Sequence, residues 1–252
     1  MSEFETLKIS DANAVRTIEL NRPDALNALN GQMTNDLADV FLETSEDDLV
    51  KVVVLTGAGR AFWAGADLKE PATARSRFGE MIEALIDFPK PFLIAVNGVG
   101  VGIGATVCGL ADVVVMSDKA RLRCPFSALG LTAEAGSTMT YSQLMGRQRA
   151  SWFLLSSEWM TADECVEAGL ALEVVPADEL LAKVKAKAEI LAALPMASLV
   201  KTKSLLMDPV REKLKESVKA ENAGLAKLRG GEANQEALAA FREKRDPDFS
   251  GL

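Results

Sequence analysis

The chain has 252 residues, 48% of them hydrophobic and 25% charged, enough for one large domain or a domain with an appendage. A formal charge of −8 argues against a nucleic-acid partner, and no apolar run reaches the roughly 18 residues of a membrane span. There is no histidine, which removes Ser-His and Cys-His catalysis, most zinc sites and the usual base near neutral pH. A proton must then travel on a carboxylate, a lysine, water or Tyr141, the only tyrosine. Met1 to Glu5 is acidic and lacks a signal-peptide pattern. Cys108, Cys124 and Cys165 show no C-x-x-C spacing and read as reduced, buried thiols of a cytoplasmic protein.

Taken in order, residues 4–10 and 14–20 alternate apolar with polar side chains and predict two antiparallel strands around the turn Asp11-Ala12-Asn13. Residues 21–30 form a loop rich in turn formers. Met33, Leu37, Val40 and Phe41 place a helix over 32–44. A buried strand over 50–56 ends at Gly57-Ala58-Gly59-Arg60, and the small residues of 61–70 let the backbone approach another molecule closely. A helix is predicted over 72–88, stopped by Pro89-Lys90-Pro91. The apolar run 91–96 is a second buried strand. It leads into Gly98, Gly100, Gly102 and Gly104, with a short buried helix beyond them. Strands follow over 113–116 and 121–124, and short helices over 136–145, 147–156 and 161–169, the last opened by the capping box Thr161-Ala162-Asp163-Glu164. A final strand covers 171–175. After Pro176 only helices are predicted: 178–194, 197–207, 210–229 and 232–244. The pattern is α/β, with a core over 1–195 and a helical segment over 196–252.

Two places bring bare backbone close to a ligand, Gly65-Ala66 and Gly102-Ile103. A strand, a glycine turn and a helix start leave free N–H groups, and the helix dipole adds positive charge there. Such a spot suits an anion or an oxygen that becomes one during a reaction, although glycines after strands are also common turns. The run N-G-V-G-V-G-I-G is not the G-x-G-x-x-G of a dinucleotide site, and there is no G-K-[ST] of a P-loop. Glu134 stands alone among Leu131, Thr132, Ala133, Ala135 and Gly136. It reads either as a first-turn acid complementing a helix dipole or as a proton carrier whose pKa an apolar setting raises.

Three segments taken together carry more. Asn21-Arg22-Pro23-Asp24-Ala25-Leu26-Asn27-Ala28-Leu29, Gly59 to Leu68 and Pro89 to Gly98 resemble, in order and spacing, the crotonase (enoyl-CoA hydratase/isomerase) superfamily. The likeness continues through Met160-Thr161-Ala162, Ala168-Gly169-Leu170 and Val174-Val175-Pro176. It implies a spiral of ββα units, a C-terminal helical segment that builds a homotrimer or hexamer, and an acyl-CoA thioester as ligand. Coenzyme A enters as part of the substrate, with no separate cofactor and no metal. The resemblance makes Ala66 and Ile103 the backbone donors of an oxyanion hole, with Gly102 beside the substrate.

Hydratases of the superfamily hold two glutamates where this chain has Thr106 and Phe126. The segment Pro125 to Ser137 instead resembles the peroxisomal-type Δ3,Δ2-enoyl-CoA isomerase branch, which implies Glu134 as a single proton shuttle. The resemblance also implies CoA or acyl contacts at Arg22, Ala25, Ala64, Asp67, Leu68, Lys69, Phe126 and Leu129, and at Phe241 and Lys244 reaching a neighbouring subunit. Each Lys or Arg among these reads equally as a solvated surface charge, and Phe126 and Leu129 equally as core. Hydratase activity and non-catalytic acyl-CoA binding are the competing functions.

Overall fold

The computed structural model describes residues 3–70 and 77–252. Two strands, β1 (Leu7–Ala12) and β2 (Val15–Leu20), pair antiparallel. Their turn is Asn13-Ala14, one residue later than the sequence suggests. Both turn residues lie at positive φ, 53° and 59°, the two-residue hairpin that matches strand twist and that asparagine accepts readily. Then α1 (Gly31–Glu46) is capped by Asn30, whose side chain accepts from the Met33 N–H at 2.9 Å.

From there the chain repeats one move. β3 (Val52–Gly57) and β4 (Ala61–Trp63) precede α2 (Phe78–Asp87). β5 (Phe92–Val96) and β6 (Val99–Val101) precede α3 (Ile103–Thr106), which runs on as a 3-10 turn over Val107–Leu110. β7 (Val113–Ser117) and β8 (Arg121–Arg123) precede α4 (Ser137–Ser156). Each repeat lays its first strand in one sheet and its second in another. With β9 (Trp159–Thr161) and β10 (Glu173–Val175), the six-stranded sheet has the order β1-β2-β3-β5-β7-β10 and the four-stranded sheet β4-β6-β8-β9. This is the predicted ββα spiral. The short strands β4, β6 and β9 were not anticipated: three residues are too few to display a period.

The central strands β3 and β5 of the first sheet are buried along their whole length and β7 nearly so, and these three read as apolar runs without alternation. Along β3, Val53 and Leu55 face the main core while Val52 and Val54 face α6 (Leu180–Ala192). That helix answers with Leu180, Val184, Ala188 and Ala192, one residue per turn on one stripe. The two helices predicted over 136–145 and 147–156 are two limbs of α4 that break at Gly146, φ 73°. α5 (Ala162–Ala168) carries the predicted capping box.

The clearest departure lies at the C-terminal end. Helices predicted over 197–207 and 210–229 are one helix, α7 (Met196–Leu228), with Pro209 inside it. Proline inside a helix costs about 3 kcal/mol. Packing overrides that cost: Lys203 before the proline and Leu214, Val218, Glu221 and Leu225 after it are all buried. α7 turns by 105° from α6 and lies back across the core, and α8 (Glu232–Glu243) follows. The predicted helix over 72–88 falls partly on residues 71–76, outside the described residues; its remainder is α2. Among the described residues, no single helix is long and apolar enough to cross a membrane.

Candidate active site

The first backbone approach is shaped by a one-residue bridge. The Leu29 N–H donates to the Gly65 carbonyl at 2.7 Å, and the Asp67 N–H donates to the Leu29 carbonyl at 2.9 Å. In such a parallel bridge the middle residue turns its own N–H the other way, so that of Ala66 faces away from Leu29. Around it, Asn27 fixes the preceding loop. Its side chain accepts from the Arg22 N–H at 2.9 Å and donates to the carbonyls of Ala58 and Ala61 at 2.9 and 3.0 Å.

The second approach is built by close packing. Gly102 sits at φ 56°, a conformation that favours glycine, and opens α3 as its N-cap. Ile103 is the first helical residue, so its N–H has no partner within the helix. Gly104 is pressed against β4: a Cβ there would lie 2.0 Å from the Trp63 carbonyl oxygen. Among the described residues, neither the Ala66 nor the Ile103 N–H donates to a protein acceptor.

Glu134 arrives from a third direction, on the loop between β8 and α4. A Cβ placed on Gly102 would lie 3.9 Å from Glu134 Oε1 and 3.9 Å from the Gly65 Cα, so the two turns and the carboxylate meet. A cavity of about 280 Å³ opens at this meeting point, lined by Leu29, Ala66, Ile103 and Glu134, by Phe78 and Gly79 of α2, and by the α7 side. Among the described lining residues Glu134 is the sole acid and Arg229 the sole cation. The charge of Glu134 is also felt by one buried thiol, Cys124. Burial pushes the Cys124 thiol well above its usual range, and the charge of Glu134 pushes it further.

The other predicted site residues lie outside this lining. Arg22 is engaged by Asp67 (3.0 Å) and by the Ala28 carbonyl. Burial works to raise the Asp67 carboxyl. The Lys69 N–H, 3.1 Å away, and the Arg22 guanidinium outweigh it and hold the group below the usual carboxylate range. Ala25 and Ala64 are half-buried near that pair, and Leu68 and Lys69 are exposed. Phe126 is buried in the core, and the Leu129 carbonyl accepts from Asn234 at 2.8 Å. Phe241 and Lys244, on and just after α8, are exposed. Thr106 is fully buried, and its hydroxyl has no hydrogen-bond partner among the described residues.

The sequence reading missed the roof. Asn222, Leu225, Ala226 and Arg229 line the cavity from α7 and its end, contributed by a helix nearly ninety residues downstream of Glu134. The available signal was the apolar stripe Leu214, Val218 and Leu225, which must cover something.

Comparison with known proteins places this geometry. Residues 10–251 match the family described as enoyl-CoA hydratase/isomerase. The chain is 34% identical to a 2,3-dehydroadipyl-CoA hydratase of Escherichia coli (strain K12), over 97% of this chain and 98% of the relative. It is also 34% identical to enoyl-CoA delta isomerase 2 of Rattus norvegicus, over 84% of this chain and 57% of that protein. The crystal structure of an enoyl-CoA hydratase/isomerase from Pseudoalteromonas atlantica T6c superposes with a TM-score of 0.92 at 33% identity, covering 98% of this chain and all of that one. A spiral of paired strands, two bared main-chain turns and a match spanning nearly the full length lead to one conclusion: the chain belongs to the enoyl-CoA hydratase/isomerase family of the crotonase superfamily.

Proposed function

We propose that the protein isomerises 3-enoyl-CoA thioesters to 2-enoyl-CoA thioesters, with Glu134 as the single proton carrier. The observation that carries this reading is the lone carboxylate. Among the described residues lining the cavity, Glu134 is the one acid, and it lies beside the two bared amides. The positions where hydratases of the superfamily hold acids are Thr106, fully buried, and Phe126, packed in the core.

In the proposed cycle the thioester oxygen accepts from the N–H groups of Ala66 and Ile103. The Glu134 carboxylate takes a proton from C2, and the electron pair of that C–H bond spreads over C2, C4 and the thioester oxygen. Negative charge grows on that oxygen only as the proton leaves, so the two donors stabilise the dienolate more than the substrate. Each such donor is worth about 3 kcal/mol. The Glu134 acid then returns the same proton to C4, and the double bond moves from the 3,4 to the 2,3 position. One base suffices because the proton removed is the proton delivered, and general acid–base transfer of this kind contributes about 10²- to 10⁴-fold. The apolar walls Leu29, Phe78, Ile103 and Leu225 hold the acyl chain. Assembly into a trimer or hexamer would bring Phe241 and Lys244 to a neighbour's CoA.

Hydration is the second reading, favoured by the hydratase among the relatives. Purified protein should convert 3-enoyl-CoA of several chain lengths to 2-enoyl-CoA, read by the absorbance of the conjugated thioester. With trans-2-enoyl-CoA it should form 3-hydroxyacyl-CoA far more slowly. Faster hydration than isomerisation reverses the assignment. Binding of acyl-CoA with no turnover of either substrate makes the protein a carrier.

A further inference from the structure

The stripe by which α7 docks contains one residue of the wrong kind. Leu214, Val218, Glu221 and Leu225 recur at intervals of four, three and four, and all are buried, with Glu221 only 5% exposed. Three are apolar and the fourth is a carboxylate. A leucine would dock the helix without the desolvation that a buried charge demands. What Glu221 touches explains its presence. Its Oε2 accepts from the Gly136 N–H at 2.6 Å, and its Oε1 accepts from the Thr138 N–H at 3.0 Å and the Thr138 hydroxyl at 2.6 Å.

Those groups open α4, immediately after Glu134. The N-cap of α4 is Gly136, which has no side chain to accept from the first free amides. Glu221 supplies that acceptor from α7. The loop needs the support, because Ala135 and Gly136 both sit at positive φ, 60° and 74°. An alanine persists there only where its surroundings dictate it. Leu214 and Val218 press on the same point: a Cβ on Gly136 would lie 2.4 Å from one and 3.5 Å from the other. Within the loop, the Glu134 carbonyl accepts from the Ser137 hydroxyl at 2.8 Å, which ties Glu134 to the residue between the two that Glu221 grips. The residue after Glu221, Asn222, lines the cavity.

We infer that Glu221 is the positioning residue for Glu134: α7 roofs the cavity and, through this one carboxylate, seats the loop that presents the proton carrier. Roof and base are thereby set by a single docking event. The inference rests on the reading of Glu134 as proton carrier, and its test separates the two.

Glu221→Gln keeps the volume but offers one acceptor oxygen where two are used, and turns an NH₂ toward an amide N–H. Glu221→Leu completes the apolar stripe and offers no acceptor, so α7 stays docked if packing is all that matters. In unliganded Glu221→Gln, amide hydrogen exchange at Gly136 and Thr138 should quicken at least about 10-fold while the circular dichroism of the fold is unchanged. On 3-enoyl-CoA, both variants should lose about 10- to 100-fold in kcat, with KM held within about 2-fold. In a Glu134→Gln background, Glu221→Gln should change residual turnover less than about 2-fold, because it acts through the group already removed.

Unchanged exchange together with unchanged kcat overturns the inference and leaves the isomerase reading standing. So does an equal loss of turnover in both backgrounds, which would mark a general structural defect. If the wild-type protein leaves 3-enoyl thioesters untouched while exchange still quickens in Glu221→Gln, the isomerase reading falls and the clamp on the Glu134 loop stands.

Discussion

The glycine turn before α3 and the loop before α4 both present a group to the same cavity, but they are held in opposite ways. The turn around Gly102 is held by near neighbours. β6 pairs with β4 and β8, the Gly102 N–H donates to the Arg123 carbonyl at 2.9 Å, and Gly104 rests against Trp63. Its group is a main-chain N–H, which cannot be misplaced without unmaking the strands. The loop around Glu134 has no strand pairing at the acid, contains an alanine at φ 60°, and is pinned by a side chain from a helix more than eighty residues away. Its group is a side chain that, in the proposed cycle, must reach, take and release a proton. A charge-stabilising donor is best built into the sheet framework, and a proton carrier is best placed on a loop whose setting can be adjusted from elsewhere.

The largest expected effect comes from removing the loop's chemistry while leaving its shape. Glu134→Gln should lower isomerisation about 10³-fold, within the range general acid–base groups contribute, with affinity for a saturated acyl-CoA unchanged by calorimetry. Turnover within about 3-fold of wild type would take Glu134 out of the mechanism. The next effect comes from breaking the turn. Gly104→Ala forces a Cβ to within 2.0 Å of the Trp63 carbonyl oxygen, where Trp63 is itself fully buried. Overpacking of this kind costs about 1–3 kcal/mol, and the adjacent Ile103 amide should shift with it. Urea denaturation should show the loss of stability, and turnover should fall as well. Full stability in that variant would mean that β4 yields easily, and the contrast between rigid turn and adjustable loop would fail.

The same contrast explains what could be read from the sequence. The two bared turns and the position of Glu134 were legible because each is written in consecutive residues: apolar runs ending in glycines, and an acid flanked by alanines. The spiral was implied only by the family resemblance, since most of its second strands are three residues long and display no period. Val52 to Gly57 announces a strand buried on both faces without reference to anything else. The roof was not legible. Asn222 and Arg229 are ordinary polar residues of a long helix, and only its 105° turn from α6 brings them over the cavity. Pro209 argued for two helices, and the local argument lost to burial on both sides of it. Glu221 was the least visible, since a glutamate among Lys219, Ala220 and Asn222 looks like solvated surface until the stripe it interrupts is laid against the Glu134 loop.

The smallest effect concerns the first donor turn, and it tests whether that turn is as self-contained as the second. Asp67 follows Ala66 and is the point where a side chain helps: it accepts from the Lys69 N–H at 3.1 Å and from Arg22 at 3.0 Å. In Asp67→Asn one acceptor oxygen remains for the Lys69 amide, and the charge facing Arg22 is lost. A hydrogen bond to a charged group is worth about 1.5–3 kcal/mol at most. With the pair partly open to solvent, the loss should be about 1 kcal/mol at neutral pH. The sign of its pH dependence follows from the depressed carboxyl. The folded pKa lies below the unfolded value of 3.8, so the contribution is fully present above 3.8 and is lost as pH falls through the folded value. The stability difference between wild type and Asp67→Asn should therefore be flat from pH 7 down to about 5 and shrink steadily below 3.8. A difference that instead persists at low pH would trace to packing around Asp67 and not to its charge. A fall in kcat much larger than the loss of stability would show that the Ala66 amide, unlike that of Ile103, is aimed by a side chain.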